Sequence, residues 1–230
     1  MSRQARQGNA VVDIFDEVEE ELRADRAKRM LERYGGLLIA ACVLVVGAVA
    51  GWQGWRYWQG RQDVAAATAY LASLSRIESA PLLSEERRKE ALTGFEALTQ
   101  AAPEGYRTLA RLQAAALKAD AGDLPGAAQL WDQVAADASA DPLLRDLASL
   151  TWASRQLDTG DPALLEARLR PLAMPGNAWR SLAQEQLALL LLRQQKTDDA
   201  KAALRKLAED TTAPAGVRGR SRALLDQMGG

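Results

Sequence analysis

Few side chains in this 230-residue sequence are placed to do chemistry, and their types narrow the field quickly. Acid pairs occur at Glu85-Glu86 and Asp198-Asp199, with Glu104 between them. Paired carboxylates are what an acid–base hydrolase needs. Each of these acids also opens a helix-period segment, where a carboxylate caps the helix and complements its dipole. The sequence has no histidine, and its sole cysteine, Cys42, lies inside an apolar run. That removes Ser-His-Asp and Cys-His nucleophiles, histidine metal ligation and an internal disulfide. Neither GxxxxGK[ST] nor GxGxxG occurs, so no phosphate-cradling loop is implied. The formal net charge of -1 gives no reason to expect nucleic acid. No catalytic residue, metal ligand or cofactor is expected. A carboxylate-based, wall-directed hydrolase is the enzymatic alternative to an interaction protein. Arg218, Arg220 and Arg222 are expected on wet faces of a final capping helix, with a binding patch as the other reading.

The elements that carry these residues begin with an anchor. From Tyr34 to Trp55 the sequence carries 22 uncharged residues between Arg33 and Arg56. As a helix they span about 33 Å, enough for a hydrocarbon core of about 30 Å. Eight leucine, isoleucine or valine residues lie within LLIAACVLVVGAVAG, each favouring insertion by about 0.3–0.6 kcal/mol. The stretch GWQGWRYWQGR, residues 51–61, places Trp52, Trp55, Tyr57 and Trp58 where such a helix leaves lipid. Amphipathic rings favour that headgroup layer; the alternative is that they begin a soluble helix and pack in its core. Arg23, Arg26, Lys28, Arg29 and Arg33 crowd the N-terminal flank, against Arg56 and Arg61 beyond the span. Positive flanks stay cytoplasmic, so the N-terminus is expected inside and residues 59–230 outside. Ala48-Val49-Ala50 has the form of a signal-peptide cleavage site, but the acid-rich leader and the long apolar run favour an uncleaved anchor.

Within the span, Gly36, Ala40, Gly47, Gly51 and Gly54 fall on one stripe at helical spacing. Small residues in a row admit a second helix, and Gly47/Gly51 form a GxxxG pair; such residues are also simply common in membrane helices. The expected organisation is a charged cytoplasmic segment over 1–33, a signal anchor with an aromatic belt over 34–58, and an exported domain over 59–230. In the first segment Phe15, Val18, Leu22 and Met30 keep helical spacing, giving an amphipathic helix or a solvated tail.

The exported part reads as helix-period segments over 62–79, 84–101, 105–121, 124–138, 142–158, 162–171, 177–195, 197–210 and 214–228. The breaks fall at Ala80-Pro81, Pro103, Gly122-Asp123, Asp141-Pro142, Gly160-Asp161, Pro175-Gly176 and Pro214, with a helix start at Ser84. Gly122-Asp123, Gly160-Asp161 and Lys196-Thr197 recur at spacings of 38 and 36 residues, the period of stacked helical hairpins. Ala91, Phe95, Leu98 and Pro103 hold the spacing of a tetratricopeptide second helix, echoed by Ala127 and Trp131 and by Ala200 and Leu204. Tyr106, Ala110, Leu112 and Ala115, like Trp179, Ala183 and Leu187, alternate large and small, so that rings meet alanine-sized notches. LALLLLR, residues 187–193, is apolar all round and too short to span, which makes it an inner helix. The fold class is all-α: a single transmembrane helix followed by a tetratricopeptide-like helical-hairpin solenoid.

GWRYW (Gly54–Trp58) directly after an apolar span, with YRTLARLQAA (106–115) and LLRDLASLTWASRQLDTGD (143–161), resembles the ancillary SecYEG translocon subunit family, also called YfgM-like. The resemblance covers roughly residues 34 to 210. It implies a single-pass protein of the bacterial inner membrane whose periplasmic tetratricopeptide-like domain assists export. The implied partners are the Sec translocon and a membrane-anchored periplasmic chaperone of prolyl-isomerase-like type, with unfolded exported proteins also possible clients. The longer charged segment at the N-terminus departs from the family pattern, and no individual partner-contact residue carries over. A scaffold for a division or respiratory assembly of the envelope is the alternative.

Overall fold

No proline interrupts the chain before Pro81, and isolated glycines weaken a helix without ending it. In a computed structural model, which describes residues 8–78 and 85–229, the chain accordingly forms one helix, α1, over Gly8–Glu78. The helix expected to start anew at 62 is therefore the continuation of α1. Gly60 alone, followed by Arg61, Gln62 and Asp63, supplies no stop. The amphipathic face of Phe15, Val18, Leu22 and Met30, the Ala80-Pro81 break and the Ser84 helix start lie outside the described side chains and residues.

The chain divides into two units, Met1–Gly60 and Arg61–Gly230. In the first, the aliphatic side chains from Leu37 to Val49 stand open, Leu44 at 74 % exposure. The most apolar window of this helix has mean hydropathy 2.2 with none of it buried, so α1 is long and apolar enough to cross a membrane.

In the second unit the final turns of α1 are followed by α2 (Glu85–Ala101), α3 (Glu104–Asp120), α4 (Leu124–Ala136), α5 (Pro142–Arg155), α6 (Pro162–Leu172), α7 (Arg180–Arg193), α8 (Thr197–Glu209) and α9 (Ala215–Gln227). All elements among the described residues are helical. Their boundaries follow local chemistry. Asp123, Asp141 and Asp161 accept the Gly126, Leu143 and Ala163 amides at 2.9, 2.7 and 3.0 Å, each with a proline in the first turn behind them. At the end of α3 Gly122 turns left-handed at φ 87°, the Asp123 amide reaching back to the Lys118 carbonyl at 2.9 Å. The end of α7 repeats that turn with Gln195 at φ 63° and Lys196 bonded to Leu191 at 2.9 Å. Glutamine there forgoes the freedom a glycine would have.

The recurrence is firmest in the core. Ala127, Leu165 and Ala200 are fully buried at equivalent places on α4, α6 and α8, followed by Trp131, Leu169 and Leu204 and then Val134, Leu172 and Leu207. Ala110, Ala148 and Ala183, then Ala115, Ala153 and Ala188, do the same on α3, α5 and α7, all at 0 % exposure. Spacings are 38 and then 35 residues throughout. The large-small pattern thus becomes bulky groups on even helices set into alanine notches on odd ones. At the entry of the array, Tyr70 of α1 meets Phe95 edge-on at 5.4 Å and lies 6.2 Å from Tyr106. Ala91, Phe95 and Leu98 are buried below them. Odd helices approach their odd neighbours from α3 to α9, while among the described residues no even helix comes within 8 Å of another between Cα atoms. The odd helices therefore form the inner layer of a curved stack, and the even ones splay outside it.

Candidate interaction surfaces

The residues singled out for the span all lie on α1. Gly36, Gly47, Gly51 and Gly54 have open space where a Cβ would stand, and Ala40 is exposed. Trp52, Trp55, Tyr57 and Trp58 are exposed as well, with the Arg56 guanidinium 4.7 Å from the Trp52 ring centroid. The acids considered for catalysis are dispersed. Glu85 and Glu86 sit in the first turn of α2, Glu104 in that of α3, and Asp198 and Asp199 in that of α8. Glu85 pairs with Lys89 at 3.2 Å on its own helix. They are placed as helix-start charges, facing the dipole of their own helix.

The three C-terminal arginines are on wet faces, yet each ties a helix. Arg220 is half-exposed and clamps the buried Glu185 of α7 with two bonds, Nε to Oε1 and Nη2 to Oε2, both at 2.6 Å. The bond to this carboxylate holds the Arg220 guanidinium pKa above its ordinary value. Arg222 donates to the Ala208 carbonyl in the last turn of α8 at 3.1 Å, and Arg218 to the Ala213 carbonyl in the turn between α8 and α9 at 2.5 Å. Arg220 and Arg222 thus tie α9 to α7 and α8, and Arg218 fastens the turn between α8 and α9.

Sequence reading missed a second device. Asp137 ends α4 and accepts both the Ser139 amide and hydroxyl, while its other oxygen takes Arg111 of α3 at 3.1 Å. Asp210 ends α8 in the same way, accepting from Thr212 and taking Arg180 of α7 at 2.6 Å. Hydrogen bonds from Ser139 and Thr212, followed by the facing guanidinium, hold both carboxyls below the usual range. After α6, Asn177 accepts the Trp179 amide and donates to Asp146 of α5 at 2.8 Å, the same tie with its polarity reversed. The legible signal was the D-x-[ST] triplet after a helix of the second kind.

Between α7 and α9 these ties leave a groove of ≈ 510 Å³, lined by Leu182, Gln186, Leu189, Ala223 and Leu224 beside the Arg220–Glu185 clamp. It lies on the inner, odd-helix layer. Gln186, on its wall, keeps its Oε1 buried without a hydrogen-bond partner. An open, mainly apolar trough suits a peptide segment. No curated protein and no solved structure matches the chain. The family model of the tetratricopeptide repeat-like domain matches residues 28–212, most of the sequence and all but the last of the stacked helices. By that match, and by the recurrence of its buried positions, the chain belongs to the tetratricopeptide repeat-like domain family.

Proposed function

We propose that this protein is a single-pass subunit of the bacterial inner membrane that assists protein export at the Sec translocon. Its helical-repeat unit faces the periplasm and binds a membrane-anchored, prolyl-isomerase-like chaperone, exported clients, or both. The observation that carries the reading is a helix whose apolar window has no buried residue, in one chain with a repeat unit of the protein-binding kind. An unburied apolar helix of this length is stable in lipid and not in water. The flanking cations of residues 23–33 support an N-terminus in the cytoplasm. Trp52, Trp55, Tyr57 and Trp58 support the outer headgroup layer as the exit point, and the stripe of Gly36, Ala40, Gly47, Gly51 and Gly54 is the proposed seam for a partner's membrane helix. Anchoring raises local concentration beside the export channel, so weak contacts in the α7–α9 groove become effective.

Affinity purification of the full chain from gently solubilised membranes tests this, against a variant lacking residues 59–230. Translocon and chaperone should come down with the full chain, and the chaperone should be lost with the deletion. Recovery of a division or respiratory assembly instead would make the protein a scaffold of that complex.

A further inference from the structure

The final turns of α1, residues 61–78, belong to the second unit and bury only one side. Ala66 and Ser73 face its core at 6 % and 2 % exposure, and Tyr70 meets Phe95 and Tyr106. At 100° per residue the opposite side carries Val64, Thr68, Leu71 and Ser75, flanked by Ala65 and Ala72. All six are exposed, Val64 at 67 % and Leu71 at 61 %. The side is apolar in effect. The Thr68 and Ser75 hydroxyls donate to the Val64 and Ala72 carbonyls of their own helix, both at 2.9 Å. No charged residue occurs from Val64 to Ser75, and Arg76, which follows, is paired with Glu90 of α2 at 3.8 Å. Arg61 precedes the patch, where its long stem lets the guanidinium reach water.

These residues also keep a period. Val64 and Leu71, Ala65 and Ala72, and Thr68 and Ser75 each stand seven apart, the repeat of a coiled-coil seam. Ala66 and Ser73, at the heptad position opposite that seam, are the ones their own unit buries. In the sequence the series of Thr68 and Ser75 continues backward at sevens through Arg61 to Gly54, Gly47 and Ala40, three members of the small-residue stripe.

We propose that this face of α1 pairs with the same face of a second copy of the chain, as a short parallel coiled coil. A seam repeating every seven residues is self-complementary. In parallel register Val64 meets Val64, Thr68 meets Thr68 and Leu71 meets Leu71. The flanking positions, Ala65 and Ala72 on one side and Ala67 and Leu74 on the other, bring no like charges together. An uncharged face equally gives a charged partner nothing to recognise. The patch is small beside the roughly 800 Å² that each side of a standard interface buries, so its occupant must be held near and in a fixed direction. A second copy anchored through the same segment is held in that way, at the same height and with the same orientation. The helix is ordered by its own unit, so pairing has little chain entropy to overcome. The inference rests on the anchored reading of α1 given above and names the occupant of its seam.

The test uses the full chain in isolated membranes, its single cysteine removed by Cys42→Ala and one cysteine introduced at a time. Thr68→Cys and Ser75→Cys put thiols at the seam centre, where paired helices bring Cα atoms within the disulfide range of about 4.4–6.8 Å, whereas Asp63→Cys lies aside. Mild oxidation should give about tenfold more cross-linked dimer from Thr68→Cys and Ser75→Cys than from Asp63→Cys. Adding Leu71→Glu to Thr68→Cys sets two carboxylates against each other and should abolish the dimer. Co-expression with a Thr68→Cys copy carrying Leu71→Lys should restore it as a mixed pair. Leu71 is exposed, so the thermal transition should be unchanged in both variants. Equal dimer from Asp63→Cys and Thr68→Cys, dimer from neither, or an adduct with the mass of a different protein overturns the proposal. Carbonate extraction of each variant reports on the anchor separately. A chain that stays in the membrane without cross-linking refutes the seam alone, and a chain that is released refutes the anchor with it.

Discussion

Arg220→Ala leaves the Glu185 carboxylate, 3 % exposed, without either of its two bonds. Stranding one partner of a fully buried pair costs about 3–5 kcal/mol. Here the arginine side chain is 56 % exposed, so water already screens half of the interaction and can follow the vacated path. About 2 kcal/mol is the expected loss. It will not spread evenly, because among the described residues α9 packs on α7 and α8 alone. In a stack where each hairpin touches its neighbours alone, the last helix opens without the rest. Hydrogen exchange of the full chain should therefore show α9 amides exchanging about thirtyfold faster, with α3 to α5 unchanged. Adding Glu185→Leu removes the stranded charge and should return most of the protection. Exchange in α9 within about threefold of the unmodified chain, or no recovery in the double variant, would refute the view that this clamp holds the cap and shapes the groove beside it.

Val45→Arg places a cation at the centre of the proposed span at about 2.5–3.5 kcal/mol, close to the sum favouring insertion; carbonate extraction should release the variant from membranes, and normal retention would show the span is misplaced. Gly94→Ala sets a Cβ on the Ser73 hydroxyl and 3.3 Å from the Ser73 Cβ, where α1 meets α2. Overpacking of about 1–3 kcal/mol should exceed the roughly 1 kcal/mol helix gain, lowering the melting temperature, and Ser73→Ala should rescue it. The depressed carboxyls of Asp137 and Asp210 contribute stability that is present above the unfolded value of about 3.9 and lost as pH falls through their lower folded values. Acid titration followed by circular dichroism should thus show a shallower loss below about pH 4 for Asp137→Asn with Asp210→Asn than for the unmodified chain.

Much of the architecture was legible because it depends on short-range chemistry. Proline and aspartate at Asp123, Asp141 and Asp161 start helices wherever they stand, so the expected starts of α4, α5 and α6 agree with the observed ones. Ala91, Phe95, Ala127, Trp131, Ala200 and Leu204 are buried as their spacing required, since a bulky group every repeat has only the neighbouring alanine notch to enter. The boundary expected at residue 62 came from reading a change of composition as a break when nothing there stops a helix. Smaller misses are the start of α7, at Arg180 instead of 177, where Asn177 instead caps the Trp179 amide, and the end of α5, at Arg155 instead of 158.

The ties and the surfaces were decided elsewhere. Arg180 and Asp210, Arg220 and Glu185, and Arg168 and Asp132 are 30 to 36 residues apart, and only stacked hairpins bring them within bonding distance. Sequence alone thus determined which residues are helical and which face inward, because backbone satisfaction and apolar burial act over a few residues. Which charges meet, and which groove is left open, depends on the register between repeats, and that exists only once the stack has formed.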